Sequence, residues 1–275
     1  MTTGPALLFC PADRPDRFAK ALAAADGVIL DLEDGVGVGR KQEARASLAA
    51  AAAELPADRT IVRINVPESD EGQADLAVVR SSPLDTVMLP KADDPDVVES
   101  LAPLKVVALC ETARGVLAAR EIAEARNCVA LMWGGEDLVA DIGGRRSRRA
   151  DGGYLPVVTH ARATILLASA AARVLAWDGV YLAIDDLAGL AAETDDAVAM
   201  GFAAKVAVHP SQVPVIRAAF SADAEAVAWA RDLLEAAEQA GAGVFRFRGQ
   251  MVDGPLIAQA RAIVAAAGTQ ADQAR

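Results

Sequence analysis

The sequence is poor in aromatic residues, histidine and cysteine. Phe, Trp and Tyr make up 4% of the 275 residues, whereas 53% of the chain is hydrophobic, so Ala, Val, Leu and Ile must form most of the core. The two histidines, His160 and His209, show no zinc-binding pattern such as HExxH. The three cysteines are scattered and include no CxxC pair, which predicts reduced thiols in a cytoplasmic protein.

Other absences exclude whole classes of function. The formal net charge is −11, so the chain lacks the basic surface that neutralises the phosphates of a nucleic acid. The first residues do not form a signal peptide, and no apolar run is long enough to span a membrane. No Gly-x-Gly-x-x-Gly motif follows the first apolar run, which argues against a dinucleotide-binding sheet. We therefore expect small-molecule ligands, with neither nucleic acid nor a membrane as partner.

Eight short apolar runs alternate with Ala-rich or charged stretches of helical character. The runs are residues 6–10, 28–32, 60–64, 86–89, 106–109, 129–132, 179–184 and 205–208. Continuous apolar runs are typical of parallel strands that are covered on both faces, and eight β/α units predict an α/β fold of the (β/α)₈ TIM barrel type. We assign residues 1–220 to the barrel. Residues 221–275 form a C-terminal helical extension, which packs on its own barrel or on a neighbouring subunit.

Charged and polar side chains follow these runs, at the strand ends where barrel enzymes place their active sites. They are Asp31, Glu33, Asp34, Arg63, Asn65, Lys91, Glu111, Glu136, Asp137 and His209. Oxygen ligands from two strands, completed by water or substrate, suit Mg²⁺, so Glu111 and Asp137 are candidate metal ligands. The plainer alternative is that these carboxylates cap helices or pair with Arg63, Lys91 or Arg114.

The basic residues at the same rim also allow two explanations each. Arg63 either clamps a substrate carboxylate or pairs with the acidic cluster Asp31, Glu33 and Asp34, whose alternation directs Asp34 away from the other two. Lys91 is either a Schiff-base lysine or, in this acid-rich rim, a charged and paired one. The run 145–149, RRSRR, is a solvated loop or a phosphate contact.

Eight motifs occur in order between about residues 7 and 255. They are LLFCPADRPDRFAKAL, VILDLEDGV, VRIN, MLPK, ETARG, WGGEDL, HPSQ and GQMVD. With these motifs the sequence resembles the citrate lyase β-subunit-like proteins of the HpcH/HpaI aldolase superfamily, which also holds malyl-CoA and citramalyl-CoA lyases. It is most similar to short, stand-alone actinobacterial members that are not built into a citrate lyase complex.

The resemblance implies a Mg²⁺-dependent carbon–carbon lyase. Its substrate would be a β-hydroxyacyl-CoA such as citramalyl-CoA or malyl-CoA, cleaved to acetyl-CoA and a 2-oxo acid, pyruvate or glyoxylate. The alternatives are a malate-synthase-type condensation with thioester hydrolysis and a non-catalytic acyl-CoA-binding or assembly subunit. Because every catalytic position is filled, the sequence argues against the non-catalytic alternative.

The same resemblance implies a role for each matching residue. Glu111 and Asp137 match the metal ligands, Arg63 the arginine that holds the keto-acid carboxylate, and Asp34 the acid that contacts metal-bound water. Glu111 and Gly135 also lie at the substrate. Asp253 matches a catalytic acid/base that the adjacent subunit supplies in a trimer or hexamer, although it could instead cap the helix that follows. Arg14, Arg17 and Lys20 match residues that hold the CoA phosphates in relatives.

Overall fold

The computed structural model describes residues 4–221, 223–241 and 243–273. The chain divides into two compact units, Met1–Arg217 and Ala218–Arg275. Across the described segments, none of the helices is long and apolar enough to cross a membrane.

In the described part of the first unit, eight parallel strands close into a barrel in chain order. They are β1 (Ala6–Pro11), β2 (Gly27–Asp31), β3 (Thr60–Arg63), β4 (Thr86–Leu89), β5 (Lys105–Cys110), β6 (Cys128–Trp133), β7 (Leu175–Asp178) and β8 (Ala204–Ala207). The barrel is closed by pairing of β1 with β8, in the register Leu7 opposite Val206. The predicted (β/α)₈ barrel is confirmed.

Helices follow the strands and cover the barrel. They are α1 (Phe18–Ala24), α2 (Lys41–Ala51), α3 (Asp70–Arg80), α4 (Pro95–Ser100), α5 (Ala113–Leu117), α6 (Ala119–Glu124), α7 (Gly135–Asp141), α8 (Pro156–Ala172), α9 (Leu187–Met200) and α10 (Val213–Phe220). Side-chain caps explain several of the starts: Ser69, Thr112 and Asp186 each accept a hydrogen bond from a backbone N–H of the first turn.

The barrel interior is apolar, as the composition requires. Its buried cluster includes Leu7, Ile29, Ile61, Met88, Val107, Leu109, Ala130, Met132, Trp177, Ala204 and Val206. Side chains two residues apart on a strand face the same way. Asp31, Arg63 and Glu111 therefore continue the inward-facing positions of Ile29, Ile61 and Leu109 at the carboxyl ends of their strands. Because side chains alternate along a strand, these three charged groups point inward at the mouth of the barrel.

The prediction of a strand at residues 179–184 is wrong, because β7 is Leu175–Asp178. This strand ends on Asp178, a fully buried carboxylate that binds Arg162 and Lys205. The strand is hard to recognise in the sequence because it is short and ends on a charged residue. The burial of Asp178 depends on its partners Arg162 from α8 and Lys205 from β8. The aliphatic residues that follow lie beyond the strand, where Val180 and Leu182 line a cavity.

The second unit consists of α11 (Ala224–Ala240), a hairpin of β9 (Phe245–Phe247) and β10 (Gln250–Val252), and α12 (Gly254–Gln273). The predicted helix at residues 224–240 is confirmed. The hairpin turns through Arg248 and Gly249, both with positive φ (47° and 87°), which matches the twist of paired strands. Ala230, Leu233 and Val252 are buried in the core of this unit.

Candidate active site

Glu111, Asp137 and Arg63, three of the candidate site residues, line a cavity of about 100 Å³ in the barrel unit, together with Glu136 and Arg148. Arg63 ends β3, Glu111 directly follows β5, and Asp137 lies in the first turn of α7, just after β6. Apolar and aromatic side chains complete the wall; among them are Phe9, Leu109, Met132, Trp133, Tyr154, Val180 and Leu182. The structure thus brings together three residues that are up to 74 positions apart in the sequence.

Glu111 is an acid of this cavity whose pKa is raised by its surroundings. It is only 3% exposed, and its Oε1 accepts a hydrogen bond from the backbone N–H of Lys91 at 3.1 Å. A Cβ on Gly134 would lie 2.7 Å from Oε2, so only glycine leaves room for the carboxylate. Burial and then the negative charge of Asp137 raise the pKa of Glu111 to about 8. Two carboxylates that repel each other in a confined site favour a cation between them.

The nearby basic side chains are bound by other acids. Arg63 donates from Nε to Oδ1 of Asp31 at 2.8 Å, and its Nη1 lies 3.0 Å from Oε2 of Glu33. Lys91 Nζ lies 2.5 Å from Oε1 of Glu33. Asp31 and Glu33 therefore balance these two cations, and Arg63 is positioned further by packing over the ring of Phe9 at 4.8 Å. The charges of Glu111 and Asp137 are left without a lysine or arginine ion pair within the described residues.

This donor set fits a hard divalent cation. Both candidate ligands are carboxylates, the donors that Mg²⁺ prefers. In the segments that the structure describes, no group of three or more His, Cys, Asp or Glu side chains is arranged around a single metal position. A site with two protein ligands suits Mg²⁺, which keeps several waters or substrate oxygens, better than it suits the four-ligand cage of a structural zinc.

The other predicted residues Gly135, Asp34 and Asp253 lie in three different environments. Gly135 lines the same cavity as Glu111. The Asp34 side chain is 68% exposed and is not among the residues that line this cavity; Lys91 Nζ lies 3.9 Å away, and Glu33 takes the inner position. Asp253 belongs to the second unit, directly before α12. Among the described residues, its side chain forms no hydrogen bond or ion pair, so no capping contact is seen there.

Arg14, Arg17 and Lys20 line a second, larger cavity of about 570 Å³. They come from the segment that follows β1 and from α1, and the cavity is completed by residues that follow β8, among them His209. Phe9 lines both cavities. The three predicted CoA contacts are thus brought to one place, next to the cavity that holds the acidic pair.

Four further lining residues of the smaller cavity were not predicted from the sequence. Trp133, Arg148, Tyr154 and Leu182 all line the smaller cavity. Trp133 directly precedes the Gly-Gly-Glu-Asp motif, which was the available signal. Tyr154 and Leu182 stand in loops without a recognisable pattern, so only the folded chain shows their position.

A profile of the HpcH/HpaI aldolase/citrate lyase family matches residues 6–210. The chain belongs to this family. A citrate lyase subunit beta-like protein from Mycobacterium tuberculosis is 51% identical over 96% of either chain. The mitochondrial citramalyl-CoA lyase of Homo sapiens is 30% identical, over 93% of this chain and 83% of the human protein. The expected lyase of the HpcH/HpaI family is confirmed.

A solved structure of the same family gives the fold at high similarity. CitE from Mycobacterium tuberculosis superimposes with a TM-score of 0.93 and 50% identity, over 97% of this chain and 99% of that protein. That structure is a complex with magnesium, acetoacetate and coenzyme A. Its metal is the cation that the sequence predicts here, and its coenzyme A is the carrier group of the predicted acyl-CoA substrates.

Proposed function

We propose that this protein is a Mg²⁺-dependent lyase for a β-hydroxyacyl-CoA such as citramalyl-CoA or malyl-CoA. The products would be acetyl-CoA and pyruvate or glyoxylate. The observation that carries the proposal is the shared cavity of Glu111, Asp137 and Arg63: among the described residues the two acids have no lysine or arginine partner, and Asp31 fixes the guanidinium. Relatives named as citramalyl-CoA lyase and as CitE bound to magnesium, acetoacetate and coenzyme A support it.

Glu111 and Asp137 would hold the metal through their carboxylates. When bound, Mg²⁺ acts as a Lewis acid that polarises the keto oxygen of the 2-oxo acid. Arg63 would bind the carboxylate of the same substrate. A guanidinium has five N–H donors; the hydrogen bonds of Arg63 to Asp31 use two of them and its Nη1 lies near Glu33, which leaves further donors for a substrate carboxylate. Asp31 fixes the arginine before the substrate arrives, which lowers the entropic cost of binding.

The two neighbouring cavities suit the two halves of the substrate. The smaller one accommodates a group of about the size of a three-carbon acid, whereas the larger one is lined by Arg14, Arg17 and Lys20, which would bind CoA phosphates. Phe9, which both cavities share, lies where the thioester would pass from one to the other.

Asp253 would act as the acid/base, supplied by an adjacent subunit of a homotrimer or hexamer. During cleavage the Asp253 carboxylate would take the hydroxyl proton, the C–C bond would break, and its electron pair would pass to the carbon next to the thioester. Asp253 would return a proton to that carbon. Among the described residues its carboxylate forms no hydrogen bond or ion pair, so it is available for this role. Asp34, on the exposed side of the acidic cluster, would assist only through water.

The proposal predicts which products form. Purified protein with Mg²⁺ should convert citramalyl-CoA or malyl-CoA into acetyl-CoA plus the 2-oxo acid, and EDTA should stop the reaction because the carboxylate pair alone cannot polarise the keto group. Products are separated by liquid chromatography. Free CoA with intact hydroxy acid would instead identify thioester hydrolysis. No turnover of either compound, together with intact CoA binding, would favour a non-catalytic acyl-CoA-binding subunit.

Lys91 is expected not to form a Schiff base. Although burial lowers its pKa, the ion pair with Glu33 raises the pKa of Lys91 above its usual value, so the amine stays protonated at neutral pH. Borohydride added during turnover with pyruvate should leave the protein mass unchanged by mass spectrometry. A stable pyruvyl adduct on Lys91, together with activity that resists EDTA, would contradict the metal-dependent mechanism.

A further inference from the structure

The second half of the arginine-rich run 145–149 begins a hairpin that hydrogen bonds close. Arg148 pairs with Tyr154 as an isolated antiparallel bridge. The N–H of Arg149 donates to the carbonyl of Gly153 at 2.8 Å, and the N–H of Leu155 donates to the carbonyl of Ser147 at 2.8 Å. We call residues 147–155 the arginine hairpin. Arg145, Arg146 and Arg149 are exposed, whereas Arg148 lines the cavity of the acidic pair.

Arg148 is held on several sides. Its Nη2 lies 2.7 Å from Oε2 of Glu193 and donates to the hydroxyl of Tyr154, and its Nη1 donates to the carbonyl of Gly152. The guanidinium also lies over the ring of Tyr154, 3.8 Å from the centroid, and 4.8 Å from that of Tyr181. A planar guanidinium that stacks and pairs at once is fixed in orientation, which a lysine would not reproduce.

The partner of Arg148 belongs to a buried ionic network inside the barrel wall. Glu193 on α9 lies 3.0 Å from Lys205 of β8, which in turn lies 2.7 Å from Asp178 of β7. Asp178 also accepts from Arg162 of α8 at 2.8 Å. Lys205 and Asp178 are fully buried. Because leaving any of these charges without its partner is costly, the network holds Glu193, and with it Arg148, in one place.

The arginine hairpin contacts the turn that carries Asp137 at two points. The ring of Tyr154 packs edge to face on Trp133, with centroids 5.2 Å apart, and the indole N–H of Trp133 donates to Asp178 at 2.9 Å. A Cβ on Gly135 would lie 3.1 Å from the Trp133 ring, so the ring rests against the backbone of the first turn of α7. At the second point, Ser147 donates its hydroxyl hydrogen to the carboxylate of Glu136.

We propose that Arg148 is a positioning residue for the metal site, which holds Tyr154 against Trp133 and thereby fixes the turn of α7 that carries Asp137. The inference rests on the proposed function, in which Asp137 is a metal ligand. Arg148 is then no phosphate contact, because its charge is already bound by Glu193. Groups that orient a metal ligand commonly contribute about 10–100-fold to metal affinity.

The test compares Mg²⁺ binding to Arg148→Met, Arg148→Lys and Arg146→Met by isothermal titration calorimetry, with the electron paramagnetic resonance spectrum of bound Mn²⁺ as a second readout. We expect Arg148→Met to weaken Mg²⁺ binding about 10-fold or more and to broaden the Mn²⁺ spectrum. Arg148→Lys should lie between this variant and the wild type, since it keeps the charge for Glu193 and loses the stacking. Arg146→Met removes an exposed arginine next to the hairpin and should bind as the wild type does.

Unchanged Mg²⁺ affinity in a folded Arg148→Met protein would overturn the inference. Should this variant not fold, Tyr154→Leu decides, because it removes the ring that Arg148 holds against Trp133; affinity equal to the wild type would again overturn the inference. Asp137→Asn separates the two proposals. If Asp137→Asn binds Mg²⁺ normally, the metal site itself is wrong, whereas loss of binding there with full binding in Arg148→Met refutes only the role of Arg148.

Discussion

Glu111→Gln is expected to lower the Mg²⁺-dependent cleavage of the hydroxyacyl-CoA at least about 10³-fold in kcat, because Lewis-acid stabilisation by a metal is worth several kcal/mol. The substitution is nearly isosteric. It keeps the oxygen that accepts the N–H of Lys91 and removes the negative charge that the cation needs. Acetyl-CoA release measures the loss of turnover, and calorimetry with Mg²⁺ should show the loss of metal binding in parallel.

Glu121→Gln provides the matched control. Glu121 is an exposed glutamate on α6, and its amide variant makes the same change in charge away from the cavity. This control should retain the activity and the Mg²⁺ affinity of the wild type, and both variants should keep the circular dichroism spectrum of the folded barrel. Full turnover in Glu111→Gln would show that the metal is held elsewhere.

Asp253→Asn is expected to reduce kcat about 10²–10⁴-fold while Mg²⁺ affinity stays the same, because general acid–base catalysis contributes a factor of that size and Asp253 holds no metal in our proposal. Asparagine is as good a helix N-cap as aspartate, so the variant separates a catalytic role from a structural one. A residue that only caps α12 would give an Asn variant with full activity. Steady-state kinetics and thermal unfolding measure the two effects independently.

Mixing the two inactive variants tests whether Asp253 acts across a subunit interface. In a randomly mixed oligomer of Glu111→Gln and Asp253→Asn chains, a working site takes Glu111 from one chain and Asp253 from its neighbour. Each chain type is drawn with even odds, so about a quarter of the sites should regain activity. If Asp253 serves the barrel of its own chain, the mixture stays inactive. Analytical ultracentrifugation of the mixture would show whether it is a trimer or a hexamer.

Much of the barrel could be predicted from local pattern alone. Continuous apolar runs separated by helical stretches correspond to seven of the eight strands that the structure describes, because parallel strands buried on both faces require such runs. The alternation of side chains along each strand also predicts which strand-end residues point into the site. Ile61 and Leu109 point inward, so Arg63 and Glu111, two residues later, point inward as well. The inward position of Glu111, one of the two candidate metal ligands, was predictable for this reason, as was that of Arg63.

The rest depends on partners that are distant in the sequence. β7 ends on a buried aspartate that is tolerated only because Arg162 and Lys205 surround it, and no local pattern encodes that arrangement. The run 145–149 has the composition of a solvated loop, yet Arg148 is directed inward by Glu193, 45 positions later. The hairpin of the second unit was also missed, because its strands have three residues each and are recognisable only once their apolar side chains pack on α11 and α12.

The sequence by itself determined the barrel, the two acids at its mouth and the family, because strand period and strand-end position are local properties of the chain. The tertiary structure alone decided how the charges are shared: Asp31 and Glu33 pair with Arg63 and Lys91, Glu193 pairs with Arg148, and within the described residues Glu111 and Asp137 have no lysine or arginine partner. Ion pairing depends on distances of a few ångströms between strands and helices far apart in the chain. Those distances exist only once the barrel has closed.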